Sequence, residues 1–466
     1  MSASAPARQF KADAGRMTHD LRHRELIQVA LGKYAAVRDR TRSAYQDWEA
    51  ARQGAADIKA EAVGHLDKYL DDFARNLEAR GARVHWASHA AQAREIILQI
   101  VREKKARCIV KSKSMTTEEI HLNEALEKEG FEVVESDLGE FIVQLRKEAP
   151  YHIVFPAMHL TRGEISELFE RELGSAPTQN PEDLTMTARR VLRQKYLQAD
   201  IGLTGANFGI ADTGMISITE NEGNARLTCA VPRVMVTLMG IEKVLPRMED
   251  LALFLPMLAA VGTGQPLSCY NSLYGGPRQA GEPDGPSEFH VVLLDNGRTR
   301  LLADAEQRDT LHCIRCGGCL NVCPIFRNVG GHAYGTTYSG PIGSVLTPHL
   351  RGLQEWKHLS YASSLCGACT QICPVKIDLH HHLLQNRRNA ARQKPSALEA
   401  FAFRAFAWVV NSPRLYRAAK TIGRLLQPMH RLVLGSRLDP AYAWTRTRDL
   451  PPIAAQTFKE YWRSRR

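Results

Sequence analysis

The first eighty residues carry apolar positions at helical spacing. From Arg24 to Ala51, in RELIQVALGKYAAVRDRTRSAYQDWEAA, apolar residues recur every three or four positions among charged ones. This spacing places the apolar side chains on one face of a helix and the charged side chains on the other. We therefore predict an amphipathic helical lead-in over residues 1–80.

The following stretch alternates strand-like and helix-like segments. Short apolar runs in ARVHWA, ARCIVKS and FEVVES are separated by AAQAREIILQIVREKK and EEIHLNEALEKEG, which have helical spacing. This alternation indicates βαβ units around a parallel sheet. Thr116 and Glu119 have the spacing of a capping box, at a strand end where parallel-sheet proteins often bind ligands. We expect capping to explain both residues and keep KSKSMTTEE as a candidate pocket rim.

Residues 200–246 alternate short apolar runs with glycines and polar turns, which predicts several further strands. The glycine-rich segment TGANFGIADTG could line an anionic ligand, but a hairpin with tight turns is the preferred interpretation. We assign residues 81–298 to one α/β domain. The residues of this region give no nucleophile or other catalytic residue that we can name.

Composition and isolated cysteines change this picture little. The 466 residues are 44% hydrophobic and 24% charged, which is typical of a soluble globular protein with two or three domains. The N-terminus lacks an apolar signal-peptide core, and the longest apolar run, Leu251–Val261, is too short to span a bilayer. We therefore expect a cytoplasmic protein.

Cys108, Cys229 and Cys269 stand alone and are predicted to be buried as small apolar side chains.

The other seven cysteines form a repeated pattern that points to a metal. Four have the spacing C-x2-C-x2-C-x3-C-P of bacterial ferredoxins: Cys313, Cys316, Cys319 and Cys323. Three more repeat the last three of these at a distance of 50 residues: Cys366, Cys369 and Cys373. In a reducing compartment, closely spaced cysteines are more often metal ligands or redox groups than disulfides. The pattern is an internal duplication that predicts iron–sulfur clusters.

The ferredoxin spacing also predicts which cysteines act together. The fourth cysteine of such a motif reaches across to the other cluster. If the last cysteine of each motif ligates the cluster of the other motif, cluster one takes Cys313, Cys316, Cys319 and Cys373. Cluster two then takes Cys323, Cys366 and Cys369. Because Ser363 occupies the position equivalent to Cys313, the second centre is either a three-iron cluster or a four-iron cluster with a non-cysteine ligand. We expect Ser363 to fill a loop, since a hard alkoxide matches a thiolate-rich site poorly.

Other cofactors fit the sequence less well. Structural zinc usually takes two separated C-x2-C pairs, whereas here three cysteines share one tight loop before a Cys-Pro pair. The glycine-rich segment 330–350 has no G-x-G-x-x-G arrangement, and the chain shows no flavin or nicotinamide fingerprint. The run His380–His382 is predicted to be a solvated helix start rather than a metal site, because consecutive residues on a helix point in different directions.

The combination of motifs resembles a known family over nearly the whole chain. The ADTG segment, the layout HCIRCGGCLNVCP … SLCGACTQICPVKI and the intervening GTTYSGPIG are similar to the lactate utilization protein B family. The resemblance implies a first domain related in fold to ribose-phosphate isomerase and CoA-transferase-like α/β proteins, followed by a helical ferredoxin-type module. It implies two four-iron clusters on the seven cysteines, and a role with lactate utilization proteins A and C in oxidising L-lactate to pyruvate.

Positive charge is concentrated at the C-terminal end. Residues 387–466 hold seventeen Lys and Arg against four Asp and Glu, a net of +13, whereas the whole chain has +11. In SPRLYRAAKTIGRLLQP the basic residues fall on one helical face and the apolar residues on the other: Arg417, Lys420 and Arg424 opposite Leu415, Ala419, Ile422 and Leu426. Such a helix can lie on an anionic membrane surface or dock on an acidic partner. The preferred interpretation is a surface helix packed on the ferredoxin-type module, and no nucleic acid is expected because no recognition module accompanies the charge.

We therefore divide the chain into a helical lead-in (1–80), an α/β domain (81–298), a double-cluster helical ferredoxin module (299–390) and a basic helical C-terminal region (391–466). Two classes of function remain open. The chain is either an electron-transfer subunit of a lactate-oxidising complex, or an enzyme whose α/β domain converts a small anion. A weaker third interpretation is a cluster subunit that serves another hydroxyacid or a disulfide substrate, because cluster motifs do not identify the electron donor. The electron acceptor is not identified by any motif.

Overall fold

The computed structural model describes residues 4–394, 397–434, 436–439, 442–445, 448–449 and 451–465. These residues divide into two compact units, Met1–Ala390 and Ala391–Arg466. Within the described ranges, every helix is too short or too polar to cross a membrane.

Helices fill the first eighty residues, as the apolar spacing predicts. They are α1 (Ala5–His19), α2 (Leu21–Ser43), α3 (Trp48–Gly64) and α4 (Leu66–Glu78). Aspartates mark two of the starts, because the Asp20 carboxylate accepts a hydrogen bond from the His23 N–H and the Asp47 carboxylate accepts one from the Ala50 N–H. Each bond satisfies a donor that the first turn of a helix leaves unpaired.

Ten strands between residues 83 and 294 form two sheets. The strands are β1 (Arg83–Ala87), β2 (Cys108–Lys111), β3 (Glu132–Glu135), β4 (Ile201–Gly205), β5 (Phe208–Ile210), β6 (Met215–Glu220), β7 (Val234–Gly240), β8 (Val244–Leu245), β9 (Tyr270–Tyr274) and β10 (Glu288–Leu294). Six form a parallel sheet in the order β1-β10-β7-β4-β2-β3, in which Ile109 lies in register between Val133 and Ile201. The other four form a mixed sheet in the order β8-β5-β6-β9, which contains the predicted antiparallel hairpin of β5 and β6.

Helices cover both faces of the parallel sheet. The helices of this region are α5 (Ala90–Glu103), α6 (Met115–Glu119), α7 (Leu122–Lys128), α8 (Leu138–Arg146), α9 (Arg162–Leu173), α10 (Pro181–Gln198), α11 (Asn224–Ala230) and α12 (Leu251–Gly262), of which α12 packs on α2 and α3 instead of the sheet. Alternate residues of β7 face opposite layers: Val236 belongs to the core that contains Ile97 of α5, whereas Met235 belongs to the core that contains Phe73 of α4. All of β7 is buried, as expected for a parallel strand covered on both faces.

The helix predicted over residues 118–130 is two helices. The chain breaks between α6 and α7 at His121, whose φ of 52° lies in the left-handed region. Regular helix cannot continue through a residue in that conformation. The apolar periodicity of the segment does not reveal the break, because Ile120 on one side of it and Leu122 on the other are both buried.

The predicted capping box at Thr116 and Glu119 is wrong. Ser114 caps α6 instead, since its Oγ accepts a hydrogen bond from the Thr117 N–H at 3.4 Å. The Glu119 carboxylate turns to Arg298, whose Nη2 lies 2.8 Å from Glu119 Oε2. Both side chains of this ion pair are buried, so the Glu119 carboxylate stabilises a tertiary contact with Arg298 and does not cap α6.

Residues 299–390, which we call the cysteine module, are mainly helical. The helices are α13 (Arg298–Leu302), α14 (Gly318–Val322), α15 (Pro324–Val329), α16 (Gly340–Arg351), α17 (Leu353–Tyr361), α18 (Ala368–Ile372) and α19 (Leu379–Gln393). The N-terminal helices pack on this module, α1 against α15 and α17, and α2 against α15. Ile27 and Leu31 of α2 accordingly share one apolar core with Phe326.

The unit Ala391–Arg466 contains α20 (Ala397–Asn411), α21 (Pro413–Val433), α22 (Tyr442–Thr445) and α23 (Phe458–Arg463). α20 and α21 contact each other, and the predicted basic amphipathic helix is α21. α20 presents aromatic side chains to solvent, with Phe401 and Phe403 each 71% exposed. Packing of α21 on the cysteine module stays a prediction.

One of the three isolated cysteines departs from the prediction. Cys108 and Cys229 are buried, as expected of small apolar side chains, but Cys269 is exposed. Cys269 lies immediately before β9, and its N–H donates to the Asn221 side chain at 3.0 Å. Its position is set by a surface turn rather than by burial.

Candidate functional site

The two cysteine groups repeat in backbone conformation as well as in sequence. Arg315 and Leu365, at equivalent positions, both have positive φ, of 60° and 56°. Gly317 and Gly367 follow with φ of 77° and 79°, a conformation that glycine adopts without strain. Each glycine precedes a five-residue helix, α14 or α18. The duplication therefore builds two similar loops, each followed by a short helix that carries a cysteine.

Four cysteines from both groups line one small cavity, which we call the thiol cavity. The first group contributes three and the second contributes one: Cys313, Cys316, Cys319 and Cys373. Most of the remaining lining is apolar and includes Ile153, Ile342, Val375 and Ile377. The fold thus brings Cys373 together with three cysteines that lie more than fifty positions earlier in the chain.

Backbone N–H groups donate to the sulfurs of three cysteines. The pairs are Arg315 with Cys313 at 3.4 Å, Ile377 with Cys373 at 3.4 Å, and Phe326 with Cys323 at 3.5 Å. Such donors stabilise negative charge on a sulfur that ligates a metal. Cys313 and Cys373 therefore have the hydrogen-bonded surroundings typical of metal-ligating thiolates.

Burial controls the protonation of these thiols. Burial raises the pKa of Cys373 to about 12 and holds the pKa of Cys316 and Cys319 well above the ordinary thiol range. A thiolate without a counter-charge is costly when buried, so the thiols of Cys316, Cys319 and Cys373 keep their protons until a metal displaces them. The cavity is suited to a charged metal group and not to free thiolates.

The remaining three cysteines of the pattern differ from one another in exposure. Cys323 and Cys369 are buried, whereas Cys366 is exposed. Burial, followed by the nearby thiols of Cys323 and Cys366, raises the pKa of Cys369 to about 11, so these three sulfurs lie close enough to interact. Ser363 Oγ accepts a hydrogen bond from the Leu365 N–H at 3.1 Å, which is the loop role expected for it.

This donor set fits an iron–sulfur cluster. Soft thiolate ligands, backbone N–H donors and an apolar lining are the features by which proteins hold and tune such clusters. The thiol cavity supplies four thiols, and the second set supplies three. The residues present therefore suit two clusters of which one has an incomplete cysteine set.

The histidine run is only partly solvated, contrary to the prediction. His382 is buried, and its Nε2 lies 2.7 Å from Asp309 Oδ1. His381 is exposed and its ring stacks on that of His380, with centroids 4.2 Å apart. Successive positions on α19 point in different directions, so the third histidine turns into the cysteine module.

A larger cavity of about 520 Å³ adjoins the thiol cavity, and we call it the sheet-edge cavity. It is lined by residues 112–115, which follow β2, and by residues 204–207 at the end of β4. Arg315 and Cys316 line both cavities. The carboxyl ends of parallel strands are common ligand sites, and residues 112–115 of KSKSMTTEE and residues 204–207 of TGANFGIADTG both line this pocket.

The sequence does not reveal a buried ion network behind the first cysteine loop. Glu242 Oε1 accepts from Arg315 at 3.1 Å, and Glu242 Oε2 lies 2.5 Å from Arg298 Nε. Glu242 and Arg298 are each only 1% exposed, so the network is strongly shielded from water. A charged residue inside C-x2-C is visible in the sequence, but its partner 73 positions away is not.

Family models match three consecutive parts of the chain. A LUD domain matches residues 70–294, a 4Fe-4S dicluster domain matches residues 309–377, and the C-terminal domain of lactate utilisation protein B matches residues 379–466. The first model coincides with both sheets, and the second with all seven patterned cysteines. The described structure accordingly combines a parallel-sheet α/β region, a dicluster region and a helical C-terminus.

Curated relatives match nearly the full length of the chain. Lactate utilization protein B of Bacillus velezensis is 45% identical over 426 residues, covering 90% of this chain and 89% of the relative. The protein of the same name from Bacillus pumilus is 40% identical over 472 residues, covering 100% and 99%. A crystal structure of a DUF162 family protein from Deinococcus radiodurans matches 49% of this chain and 98% of its own, with 14% identity and a TM-score of 0.28, too low to support a conclusion.

Proposed function

The chain belongs to the lactate utilization protein B family, and from this membership we propose that it is the electron-transfer subunit of a complex that oxidises L-lactate to pyruvate. The family and the dicluster match make it an iron–sulfur protein of lactate utilization. Its proposed partners are lactate utilization proteins A and C and an electron acceptor. Its proposed cofactors are two 4Fe-4S clusters, with a 3Fe-4S cluster as the alternative at the second site.

We assign the clusters to the two crossed sets of cysteines. Cluster one takes Cys313, Cys316, Cys319 and Cys373, and cluster two takes Cys323, Cys366 and Cys369. The observation that carries this assignment is that Cys373, from the second motif, lines the thiol cavity with three cysteines of the first. Cluster two either takes its fourth ligand from a group other than these cysteines or is a three-iron cluster without one.

Bound iron–sulfur clusters exchange single electrons, so two of them can divide a two-electron oxidation. The task of the chain is to hold each cluster in a suitable environment. Ile153 and Ile342 help exclude water from the thiol cavity, and the N–H groups of Arg315 and Ile377 stabilise negative charge on sulfur. The exposed Cys366 marks the side on which an electron acceptor can approach.

The domain division is also a proposal. We place boundaries at residues 1–80, 81–298, 299–390 and 391–466, and assign a ribose-phosphate isomerase or CoA-transferase-like fold to 81–298. The parallel sheet between residues 83 and 294 supports the α/β class of that domain. The mainly helical structure of residues 299–390 supports the ferredoxin-type module.

The alternative function makes the α/β domain itself catalytic on a small anion, or makes the chain serve another hydroxyacid or a disulfide substrate. The sheet-edge cavity supports this alternative, because it is large enough for a small organic acid and touches Cys316. The two functions differ in whether lactate reduces the isolated chain.

We place the protein in the cytoplasm, and peripheral contact of the unit Ala391–Arg466 with the inner membrane surface is the alternative to packing of α21 on the cysteine module. The basic positions Arg417, Lys420 and Arg424 on α21 support this location, as do the exposed aromatic side chains Phe401 and Phe403 on α20. Basic and aromatic side chains together favour binding at an anionic lipid interface.

The test is metal analysis with EPR spectroscopy on the anaerobically purified chain, first oxidised and then reduced with dithionite. We expect about eight iron atoms per chain for two cubanes, or about seven with an oxidised three-iron signal. L-lactate is then added to the chain alone and to the chain with lactate utilization proteins A and C.

Reduction by lactate only in the presence of proteins A and C supports the electron-transfer subunit. Reduction of the isolated chain favours the catalytic alternative. Zinc with little iron would overturn both cluster assignments.

A further inference from the structure

The thiol cavity and the sheet-edge cavity share part of their walls. Arg315 and Cys316 line the thiol cavity and the sheet-edge cavity alike. At the same place, a Cβ on Gly262 of α12 would lie 3.1 Å from the Cys316 carbonyl oxygen. Because Cys316 lines both cavities, a molecule in the sheet-edge cavity would lie next to a proposed cluster ligand.

The sheet-edge cavity holds three basic side chains, of which two lack a complete set of acceptors. Lys113 is engaged, since its Nζ lies 3.4 Å from Asp137 Oδ2 and donates to the Val154 carbonyl at 3.1 Å. Lys243 Nζ donates to the Ala206 carbonyl at 2.6 Å and forms no ion pair within the described part of the chain. Burial accordingly lowers the pKa of Lys243, to about 8.

Arg315 is the second incompletely paired cation. Its side chain is only 9% exposed, and its Nη2 donates to Glu242 at 3.1 Å. Its Nε and Nη1 are buried without an acceptor among the described residues. A buried guanidinium N–H without an acceptor is costly, which indicates that an acceptor of negative charge completes the site.

The acidic side chains of the cavity already have other partners. Asp137 pairs with Lys113, and its carboxylate accepts the Glu140 N–H. Glu220 accepts backbone N–H groups at 2.7 and 2.9 Å, and Glu222 accepts the Leu138 N–H at 3.0 Å. Burial raises the pKa of Glu222 to about 7, so this carboxyl carries less than a full charge near neutrality.

We propose that the sheet-edge cavity binds a small 2-hydroxy- or 2-oxo-carboxylate whose carboxylate group accepts hydrogen bonds from Lys243 and Arg315. The site lies at the carboxyl ends of β2 and β4, where open parallel sheets commonly bind ligands. Its volume of about 520 Å³ lies within the range of small-molecule pockets. The choice of a 2-hydroxy or 2-oxo acid rests on the proposed function, whereas the choice of a carboxylate rests on the two cations.

The experiment measures binding of pyruvate and of oxalate to the anaerobic, iron-loaded full chain by isothermal titration calorimetry. We expect saturable binding that Lys243→Gln weakens at least tenfold, since a hydrogen bond between charged groups is lost. Lys195→Gln is the matched control, because Lys195 lies on α10 outside the cavity, where it pairs with Glu132 of β3, and its loss should leave affinity unchanged. Iron content and the reduced EPR spectrum of each variant establish that the clusters are intact.

A second readout uses the cluster as a reporter. Pyruvate should shift the EPR spectrum of the dithionite-reduced parent, because Arg315 and Cys316 lie on the cavity wall, and the shift should need higher concentrations in Lys243→Gln. Failure of both acids to bind, or equal affinity in Lys243→Gln, would overturn the inference. If lactate still reduced the clusters with proteins A and C present, the proposed function would survive that failure. Conversely, if the acids bind in a Lys243-dependent way but lactate never reduces the clusters, the sheet-edge cavity is still a carboxylate site and the proposed electron-transfer function is wrong.

Discussion

Arg298 and Glu119 form a bidentate ion pair, with Nη1 2.9 Å from Oε1 and Nη2 2.8 Å from Oε2. The same guanidinium reaches Glu242 through Nε, and Glu242 in turn accepts from Arg315 in the first cysteine loop. Four buried charges therefore connect α6 of the α/β region to a loop that lines the thiol cavity. The pairing offsets the large cost of removing each charge from water.

We expect Arg298→Met to destabilise the unit Met1–Ala390 strongly. Removing one partner leaves the Glu119 and Glu242 carboxylates buried with incomplete compensation, at a cost of about 3–5 kcal/mol. The thermal midpoint measured by circular dichroism reports the loss. Arg83→Met is the control, because Arg83 is largely exposed in its pair with Glu288 and should cost about 0–1 kcal/mol. Equal midpoints for the two variants would contradict a structural role of the network.

Cys373→Ser should remove cluster one although Cys373 belongs to the second motif. The reason is that Cys373 lines the thiol cavity with Cys313, Cys316 and Cys319. Iron analysis should show a loss of up to about four atoms per chain, with the EPR signal of the other cluster retained.

Two further serine variants make that result specific. Cys366→Ser should affect only the cluster that Cys373→Ser spares. Cys269→Ser, at an exposed cysteine outside both motifs, should leave iron content unchanged. The crossed assignment is wrong if Cys373→Ser and Cys366→Ser abolish the same EPR signal.

His290 should make the stability of the α/β region depend on pH below neutrality. Burial, with smaller contributions from the charges of His85 and Arg83, lowers the pKa of His290 to about 4, whereas Glu288 opposes the shift. Between pH 4 and about 6.5 the unfolded chain then binds more protons at this position than the folded chain. The contribution of His290 to the free energy of unfolding is therefore complete above about pH 6.5 and is lost as the pH falls towards 4.

The size of this effect is on the order of 3 kcal/mol, since each pKa unit corresponds to about 1.4 kcal/mol. The urea midpoint of the parent and of His290→Gln, measured from pH 4 to 7.5, should therefore converge at low pH. His65→Gln is the control, because His65 is exposed on the surface. Parallel pH profiles for the parent and His290→Gln would show that His290 does not titrate in this way.

The basic face of α21 should bind anionic lipid vesicles. A triple change of Arg417, Lys420 and Arg424 to Gln should weaken cosedimentation with phosphatidylglycerol-containing vesicles about thirtyfold at low salt. Arg417 and Arg424 contribute about 1 kcal/mol each, whereas Lys420 is only 17% exposed in its pair with Glu460. The matched control removes the same charge from exposed positions on α10: Arg189, Arg190 and Arg193. If both triple variants bound as the parent does, α21 would not be a lipid contact.

The sequence predicts those parts of the structure that depend on local spacing. The cysteine interval of 50 residues anticipates the paired positive φ values at Arg315 and Leu365, because identical spacing around a loop imposes similar turns. The capping prediction failed because Glu119 has a stronger partner in Arg298, 179 positions away. The position of β10 in the sheet is equally non-local, and no periodicity specifies it.

The strand order has a consequence for how the molecule is made. Among the described residues β1 pairs with β10 alone, and 205 positions separate Arg83 from Glu288, so the first strand stays unpaired while the next 205 residues are synthesised. Arg52 Nε likewise donates to the Cys373 carbonyl at 2.9 Å, an acceptor that lies 321 positions later in the chain, whereas its pair with Glu49 is local. The early helices therefore complete their contacts with the cysteine module only after residues 373–376 have been synthesised.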